Sequence, residues 1–219
     1  MTGVAVHPLA TADLAVAARL HATLLPHGFF ASLGPRYLRA YYATFLASPH
    51  AIGLVADLEG RRVGVLVGTS RNGAHYRWVI RHHGLRLACL GTTAMLARPA
   101  VAARFLRTRL GRYGRRVLRV VLERTGRGGR PGSVDAAAGD TAVLTHVMVD
   151  GQARGQGAGA ALVDRFTTAV KATGARRAML VTLAGEDGAG SFYKRLGWEH
   201  LEDRRGHDGH ELSVFSRRL

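Results

Sequence analysis

The residues best suited to chemistry in this sequence form a glycine-rich turn behind an apolar run. The run is VMVD at 147–150, and Arg154-Gly155-Gln156-Gly157-Ala158-Gly159 follows shortly after it. Successive backbone N–H groups in such a turn converge on one point, and a helix starting there adds a partial positive charge. Glycines let the main chain approach an anion without an intervening Cβ, and Arg154 supplies a cation. The turn therefore predicts a pyrophosphate-binding site.

The glycines alone do not identify the ligand. Their spacing differs from the G-x-G-x-x-G of dinucleotide-binding folds, and the G-K-[ST] of a phosphate-binding P-loop is absent. For this segment taken by itself, a strand-to-helix turn that is merely rich in glycine stays an alternative.

A second segment further along the chain indicates which ligand the turn binds. It reads Ser191-Phe192-Tyr193-Lys194-Arg195-Leu196-Gly197-Trp198, and together with R-G-Q-G-A-G it resembles the GCN5-related N-acetyltransferase (GNAT) family. The resemblance covers residues 141–200 well, whereas the preceding helices and hairpin agree in order but not by motif. It implies an α/β fold with a mixed, mostly antiparallel sheet flanked by helices, and acetyl-CoA as the acyl donor.

The same resemblance implies roles for individual residues. The strand backbone at Val147, Met148 and Val149 would pair with the pantetheine arm of acetyl-CoA. The pyrophosphate would lie on Arg154, Gly155, Gln156, Gly157, Ala158, Gly159 and Ala160. Tyr193 would protonate the departing thiolate, because a thiol with a pKa near 8.5 leaves more readily when a phenol donates to it. Core packing is the alternative role for Tyr193.

Attack by an amine on the thioester also requires a base, because the pKa of an alkylammonium is about 10. His146, on the first motif strand, has a side chain suited to proton removal near neutral pH. Glu186 stands seven residues before Tyr193, where the family often has asparagine. A strand histidine packed on the far face and an exposed acid at a helix cap are the respective alternatives. The branch of the family that acetylates protein N termini has a glutamate where this chain has Val181, which argues against that branch.

The resemblance implies that the acceptor pocket is formed by an aromatic stretch of this chain. His27, Phe29, Phe30 and Tyr42 are the candidate substrate contacts, with core packing as the alternative for most of the aromatics. No metal site is predicted. The single cysteine, Cys89, excludes an internal disulfide and a cysteine-based zinc site.

Periodicity predicts the elements that must position these residues. The N-terminal part reads as a strand at 3–7, a helix with Leu14, Ala17, Leu20 and Leu24 on one face, and a helix over 35–47. A hairpin follows, with strands at 51–58 and 61–69 joined at Glu59-Gly60. Beyond residue 140 we predict, in order, a strand at 141–150, a helix at 157–173, a strand at 176–184, a helix at 186–196, and strands at 198–201 and 211–215.

Positive charge is concentrated in one segment. The chain has 31 basic and 15 acidic residues, a net charge of +16, and residues 71–130 hold 15 arginines against the single acid Glu123. Apolar residues and arginines alternate there at helical spacing. We therefore predict a single GNAT-like domain over 1–219, with 71–138 as an inserted basic helical subdomain.

Three roles stay open for this insert. It can be a structural helical pair with solvated arginines. It can be a cover that recognises an acidic or phosphate-bearing acceptor, or that lies on an anionic membrane. Nucleic-acid binding is the least favoured role, because no reader motif accompanies the arginines. Exposed apolar faces on the insert are also compatible with a homodimer.

Targeting signals are not apparent in the sequence. The N terminus lacks a basic leader before an apolar run, and the longest uncharged stretch of the insert, Leu87 to Ala97, is shorter than the about 20 residues of a membrane span. We expect a cytoplasmic protein, with peripheral contact to the inner membrane face as an open alternative.

Together these features predict an acyl-CoA-dependent N-acyltransferase. The expected reaction moves an acetyl group from acetyl-CoA to a primary amine of a small molecule, or of a glycan or natural-product precursor, by direct attack in a ternary complex. One alternative is acetylation of protein lysines or N termini. Another is a catalytically silent CoA-binding module that its basic insert tethers elsewhere.

Overall fold

The computed structural model describes residues 3–26, 28–98, 102–103, 140–185, 188–206 and 209–219. Within them the chain forms a seven-stranded sheet with helices on both faces. The strands are β1 (Ala5–Pro8), β2 (Ala51–Leu58), β3 (Arg61–Thr69), β4 (Thr141–Val149), β5 (Arg177–Leu183), β6 (Glu199–Arg205) and β7 (Glu211–Arg218). The helices are α1 (Leu14–Leu24), α2 (Phe29–Ser32), α3 (Pro35–Ala47), α4 (Asn72–Leu96), α5 (Ala158–Ala172) and α6 (Gly190–Arg195). The predicted mixed α/β architecture is confirmed.

The sheet splits into two arms. Its strand order is β1-β2-β3-β4-β5-β7-β6, and the β4–β5 pair is parallel while the other pairs are antiparallel. The parallel pairing runs only from Thr141 opposite Arg177 to Leu144 opposite Leu180. Beyond it, β4 stays paired with β3 and β5 stays paired with β7. A gap therefore opens between the C-terminal ends of β4 and β5.

A β-bulge in β4 decides which way its later side chains point. The register with β3 skips Thr145, which has no partner residue there. One extra residue reverses the alternation of side chains beyond it. Leu144, before the bulge, belongs to the core beneath α5, whereas Met148, after it, belongs to the core beneath α1 and α3. His146 lies two residues before Met148 in the strand, so its side chain faces the same side of the sheet.

Two hydrophobic cores hold the helices on the sheet. On one face α5 buries Leu162, Phe166 and Val170 against the strands. Gly68 of β3 lies under this helix, and a Cβ there would stand 2.5 Å from the Phe166 ring, so its missing side chain permits the close approach. On the other face α1 and α3 contribute the buried residues Leu14, Ala17, Leu20, Tyr42 and Phe45. Each large apolar side chain buried in this way contributes about 1.5–3 kcal/mol to stability.

Local turn chemistry explains why several predicted boundaries agree with the structure. The β2–β3 hairpin turns at Glu59 and Gly60, with φ of 53° and 76°. Positive φ at both central residues gives the turn whose twist matches that of the strands. At the other end of the chain, Gly174 follows α5 with φ of 85° and ends that helix.

The C-terminal elements differ from their predicted bounds. β6 and β7 extend to Arg205 and Arg218, well past the predicted ends at 201 and 215. All seven residues of β6 are exposed, because this strand lies at the sheet edge, and it therefore lacks the apolar alternation that marks a half-buried strand. The predicted helix at 186–196 is shorter, with α6 beginning at Gly190; Glu186 lies outside the described residues.

Helix α4 is the described part of the predicted insert. It packs beside α3, where Leu87, Leu90 and Met95 contact a small core of Phe29, Leu33 and Tyr37. Past its end, Arg98 Nη1 donates to the carbonyl oxygen of Ser32 at 2.8 Å. Three arginines along the helix, Arg77, Arg81 and Arg86, are exposed. Beyond Arg98, the structure describes only residues 102–103 of the predicted insert at 71–138.

Candidate active site

The glycine-rich turn is held by its own hydrogen bonds. Asp150 Oδ1 accepts from the N–H of Gln152 at 3.1 Å. The Gln156 side chain donates through Nε2 to the carbonyl oxygen of Gln152 at 3.0 Å. Gly155 and Gly157 adopt φ of 78° and 85°, a left-handed conformation that strains other residues. The loop is therefore exposed but conformationally defined.

Unpaired backbone donors line this loop. The first hydrogen bond of α5 runs from the Ala161 N–H to the Gly157 carbonyl oxygen. Among the described residues, no acceptor is bonded to the backbone N–H groups of Gly155, Gly157, Ala158, Gly159 and Ala160. Donors of this kind at a helix N-terminus bind anions, and the donor set fits a pyrophosphate. The exposed Arg154 side chain adds a cation beside them.

The strand that leads into the loop has an open edge. Because β4 and β5 pair only as far as Leu144, the edge of Val147–Val149 that faces β5 has no strand partner in the part of the chain that the structure describes. This is the stretch predicted to pair with the pantetheine arm. Val147 and Val149 pack toward the α5 core, while Met148 is buried on the α1 and α3 side. The gap thus exposes backbone hydrogen-bonding groups directly before the anion-binding loop.

Tyr193 of α6 stands on the α5 side of the sheet. Its side chain is 6% exposed, and its ring contacts those of Trp198 and Phe215. Within the described residues its hydroxyl has no hydrogen-bond partner. Burial raises the pKa of the phenol to about 12, so the hydroxyl stays protonated at neutral pH. The residue combines a packed ring with an uncommitted O–H donor.

His146 lies on the opposite face, among residues of α1 and α3. Its Nε2 is 3.2 Å from the Tyr41 hydroxyl, and its ring packs edge-on against that of His21 with centroids 5.0 Å apart. Burial is the main cause that lowers the pKa of His146 to about 3, and the neighbouring His21 lowers it further. His146 is therefore neutral near pH 7, and Nδ1 has no partner among the described residues.

His21 belongs to the same cluster as His146, although it was not among the predicted site residues. It is 2% exposed, and Nδ1 lies 2.7 Å from the Tyr42 hydroxyl. Burial lowers the pKa of His21 to about 4, so this ring is also neutral. A signal was present, because His21 falls four residues after Ala17 on the apolar face of α1, where a polar side chain needs a buried partner.

The aromatic residues predicted for the acceptor pocket lie close to this pair. Phe30 packs against Tyr41 with ring centroids 4.9 Å apart, and Phe29 contacts Phe30 at 6.0 Å. Tyr42 is completely buried, and its hydroxyl reaches His21 and the Met148 sulfur. The structure thus brings Phe30, Tyr42 and His146 together, and it places Tyr193 on the other face of the sheet. His27 and Glu186 lie outside the described residues.

The candidate site residues are therefore divided between the two faces of the sheet. An anion-binding loop and a tyrosine stand on one side of a strand gap, and neutral histidines with an aromatic cluster stand on the other. No group of three or more histidine, cysteine, aspartate or glutamate side chains within the described ranges is arranged to hold a metal ion. No helix in that part of the chain is long and apolar enough to cross a membrane.

Comparison with known proteins agrees with this geometry. Residues 128–215 match the family model described as an acetyltransferase (GNAT) domain. A search of curated proteins found no match. This part of the chain therefore matches a GNAT acetyltransferase domain, and the match and the fold together indicate an N-acetyltransferase. Members of this family use acetyl-CoA as the acyl donor.

Solved structures share the fold at low sequence identity. An acetyltransferase from Thermus thermophilus is 14% identical with a TM-score of 0.55, and the match covers 100% of both chains. An N-acetyltransferase from Staphylococcus aureus is 12% identical with a TM-score of 0.59, covering 99% of both chains. The ribosomal-protein-S18-alanine N-acetyltransferase from Escherichia coli is 14% identical with a TM-score of 0.52, covering 99% of this chain and 94% of that one. At this identity the similarity establishes the fold.

Proposed function

We propose that this protein transfers an acetyl group from acetyl-CoA to a primary amine of a small molecule or a glycan-linked precursor, by direct attack in a ternary complex. The observation that carries the proposal is the strand gap. It joins the donor-binding loop and Tyr193 on one face to His146 on the other. Both substrates can then meet at the gap without a covalent enzyme intermediate.

The donor would be held mainly by backbone. The unpaired N–H groups of Gly155, Gly157, Ala158, Gly159 and Ala160 suit the pyrophosphate of acetyl-CoA, and Arg154 adds a cation beside it. The open edge at Val147–Val149 suits the pantetheine amides. When bound, acetyl-CoA supplies a thioester as the activated acyl group.

Tyr193 would act on the leaving group. Its O–H has no partner among the described residues and keeps its proton, because burial raises the pKa to about 12. A thiolate with a pKa near 8.5 does not fully deprotonate such a phenol. Tyr193 therefore stabilises the departing sulfur chiefly by donating a hydrogen bond, and it keeps its proton at the oxygen through most of the step.

His146 would act on the nucleophile. Moving a proton from an alkylammonium of pKa about 10.4 to an imidazole of pKa about 3 costs about 10 kcal/mol. We infer that the amine enters the site neutral. Its nitrogen becomes strongly acidic as it bonds to the acyl carbon, and Nδ1 of His146 can take the proton at that stage.

Two features favour a small acceptor over a protein one. Val181 is the first residue of β5 beyond the pairing with β4, and it is 43% exposed at the gap. The branch of the family that acetylates protein N termini has a glutamate at this position, so the chain lacks the carboxylate of that branch. In addition, α4 beside the aromatic cluster carries arginines and no acidic residue, which favours a phosphate-bearing acceptor.

The first test is thiol release from acetyl-CoA with amine panels matched in pairs, one member phosphorylated and the other not. Turnover of small amines supports the proposal, and a preference for the phosphorylated member assigns the arginines of α4 to the acceptor. Turnover restricted to peptides contradicts the small-molecule acceptor. Acetyl-CoA binding without any turnover favours a silent module.

The second test compares two buried histidines. His146→Gln should lower kcat by about a hundredfold or more, because it removes the base. His75→Gln is the matched control. His75 is also buried with a pKa lowered to about 4, but it bonds to Ser48 and packs on Phe45, away from His146. Equal losses of kcat in the two variants would overturn the role of His146.

A further inference from the structure

His21 is a buried titratable residue that the proposed mechanism leaves without a role. It comes from the last turn of α1, and its ring contacts His146 on β4. Its two nitrogens have different surroundings. Nδ1 faces the Tyr42 hydroxyl at 2.7 Å, while Nε2 has no hydrogen-bond partner among the described residues.

The hydrogen bonds around Tyr42 link the tautomer of His21 to the direction in which one hydroxyl proton points. The Tyr42 hydroxyl lies 2.7 Å from Nδ1 and 3.5 Å from the Met148 sulfur, which can only accept. When the hydroxyl donates to the sulfur, its oxygen accepts a proton carried by Nδ1, and both contacts are hydrogen bonds. In that tautomer Nε2 carries the lone pair and acts as an acceptor.

Backbone without a side chain lies beside Nε2. Gly28 is in the connection between α1 and α2, and a Cβ there would stand 3.9 Å from Nε2 and 3.2 Å from the Leu25 carbonyl oxygen. The connection leads directly into Phe29 and Phe30, whose rings continue through Tyr41 to His146. Nε2 therefore lies next to the chain segment that leads into the cluster around His146.

We propose that His21 is a second residue that contacts the acceptor, with its Nε2 accepting a hydrogen bond from an N–H of the attacking amine. The inference rests on the proposed function. A neutral amine has N–H donors and one lone pair, and the lone pair must point at the acyl carbon. A fixed acceptor on the other side orients the amine in this way. His21 keeps its own proton on Nδ1 throughout, and His146 takes the proton that the nitrogen loses.

Two substitutions separate contact with the amine from structural support. In His21→Asn the amide nitrogen occupies the place of Nδ1 and can still donate to Tyr42, but nothing replaces Nε2. In His21→Gln the longer side chain brings an amide oxygen to the place of Nε2 and loses the bond to Tyr42. A purely structural histidine is better replaced by asparagine, whereas one that contacts the amine is better replaced by glutamine.

The kinetic test uses the amine that wild-type protein acetylates fastest in the panel described above. We expect His21→Asn to raise the acceptor KM about fivefold to tenfold, as for one lost hydrogen bond, while the KM for acetyl-CoA and the melting temperature stay near wild type. His21→Gln should regain part of the acceptor affinity despite a lower melting temperature. Wild-type acceptor KM in His21→Asn would overturn the inference while leaving acetyl transfer intact.

A spectroscopic test needs no acceptor. Long-range proton–nitrogen NMR correlations of labelled histidine identify the protonated ring nitrogen, and the His21 signals are assigned by their loss in His21→Asn. We expect a proton on Nδ1 and a lone pair on Nε2. A protonated Nε2 would overturn the inference, because that nitrogen could not accept from the amine. This readout stays decisive even if the wild type acetylates none of the amines, which would count against the proposed function alone.

Discussion

The two ends of the candidate site are built in opposite ways. The proposed donor end, 150–160, is an exposed loop whose chemistry comes from backbone N–H groups and glycine conformations. The proposed acceptor end is a largely buried cluster of side chains from α1, α3 and β4, centred on His21 and His146. A site built from backbone N–H groups suits an anion largely independently of side-chain identity, whereas a side-chain cluster depends on each of its residues. This difference explains why the sequence indicates the acyl donor but does not indicate the acceptor.

The largest effect on turnover is expected from substitution of Tyr193. Tyr193→Phe should lower kcat by about a hundredfold with every acceptor, because the hydroxyl acts on the leaving group that all acceptors share. Stability should not change, since that hydroxyl bonds to no described residue. Steady-state kinetics and thermal melting measure the two quantities. Unchanged kcat at saturating acceptor would remove Tyr193 from the mechanism.

The second effect should be confined to donor binding. Gly157→Val places a branched side chain at φ of 85° and distorts the loop, so the Kd for CoA should rise about tenfold or more. Gly174→Val is the matched control. It has the same φ of 85° and the same open space at the other end of α5, but no loop contact. Isothermal titration calorimetry should find an altered Kd in the first variant only, and equal changes in both would contradict the loop assignment.

The third effect should be confined to the acceptor end. Phe30→Leu keeps an apolar side chain but loses the ring contacts with Tyr37 and Tyr41. The acceptor KM should rise about fivefold, while the Kd for CoA stays constant. A change in CoA affinity of similar size would show that the two ends are not separate.

The smallest effect is expected away from both ends, at the β1–β2 edge. His7 donates to the Pro8 carbonyl oxygen and pairs with Asp57 at 3.0 Å, and these contacts raise its pKa above 6.5. The pair should therefore stabilise the fold fully below pH 6.5 and lose its contribution as the pH rises through the raised value. Because His7 is partly exposed, the contribution should be about 1 kcal/mol or less.

Thermal melting of wild type and His7→Gln across the pH range measures this contribution. Their difference in melting temperature should shrink toward alkaline pH. The Kd for CoA and the acceptor KM should not change in the variant. A difference that grows with pH would show that the sign of the linkage is wrong.

Most elements could be predicted because their signals are local. Glu59-Gly60 sets a hairpin turn, Pro35 begins α3, and glycines flank α5, so these boundaries follow from a few neighbouring residues. The full length of β6 was not predicted, because nothing in its local sequence marks it as a strand. Its residues are all exposed at the sheet edge, and only pairing with β7 makes them a strand.

The proposed donor end could be predicted from the amino-acid sequence alone. The turn after β4 and the segment around Tyr193 can be recognised from residue type and spacing, because glycine conformations and a helix N-terminus depend on only a few neighbouring residues. The proposed acceptor end depends on contacts between segments that are distant in the sequence. A single bulge residue, Thr145, turns His146 toward α1 and α3, and packing of these elements brings His21 against it. A register shift of one residue reverses the face of every later side chain in a strand, and contacts between distant segments depend on that register.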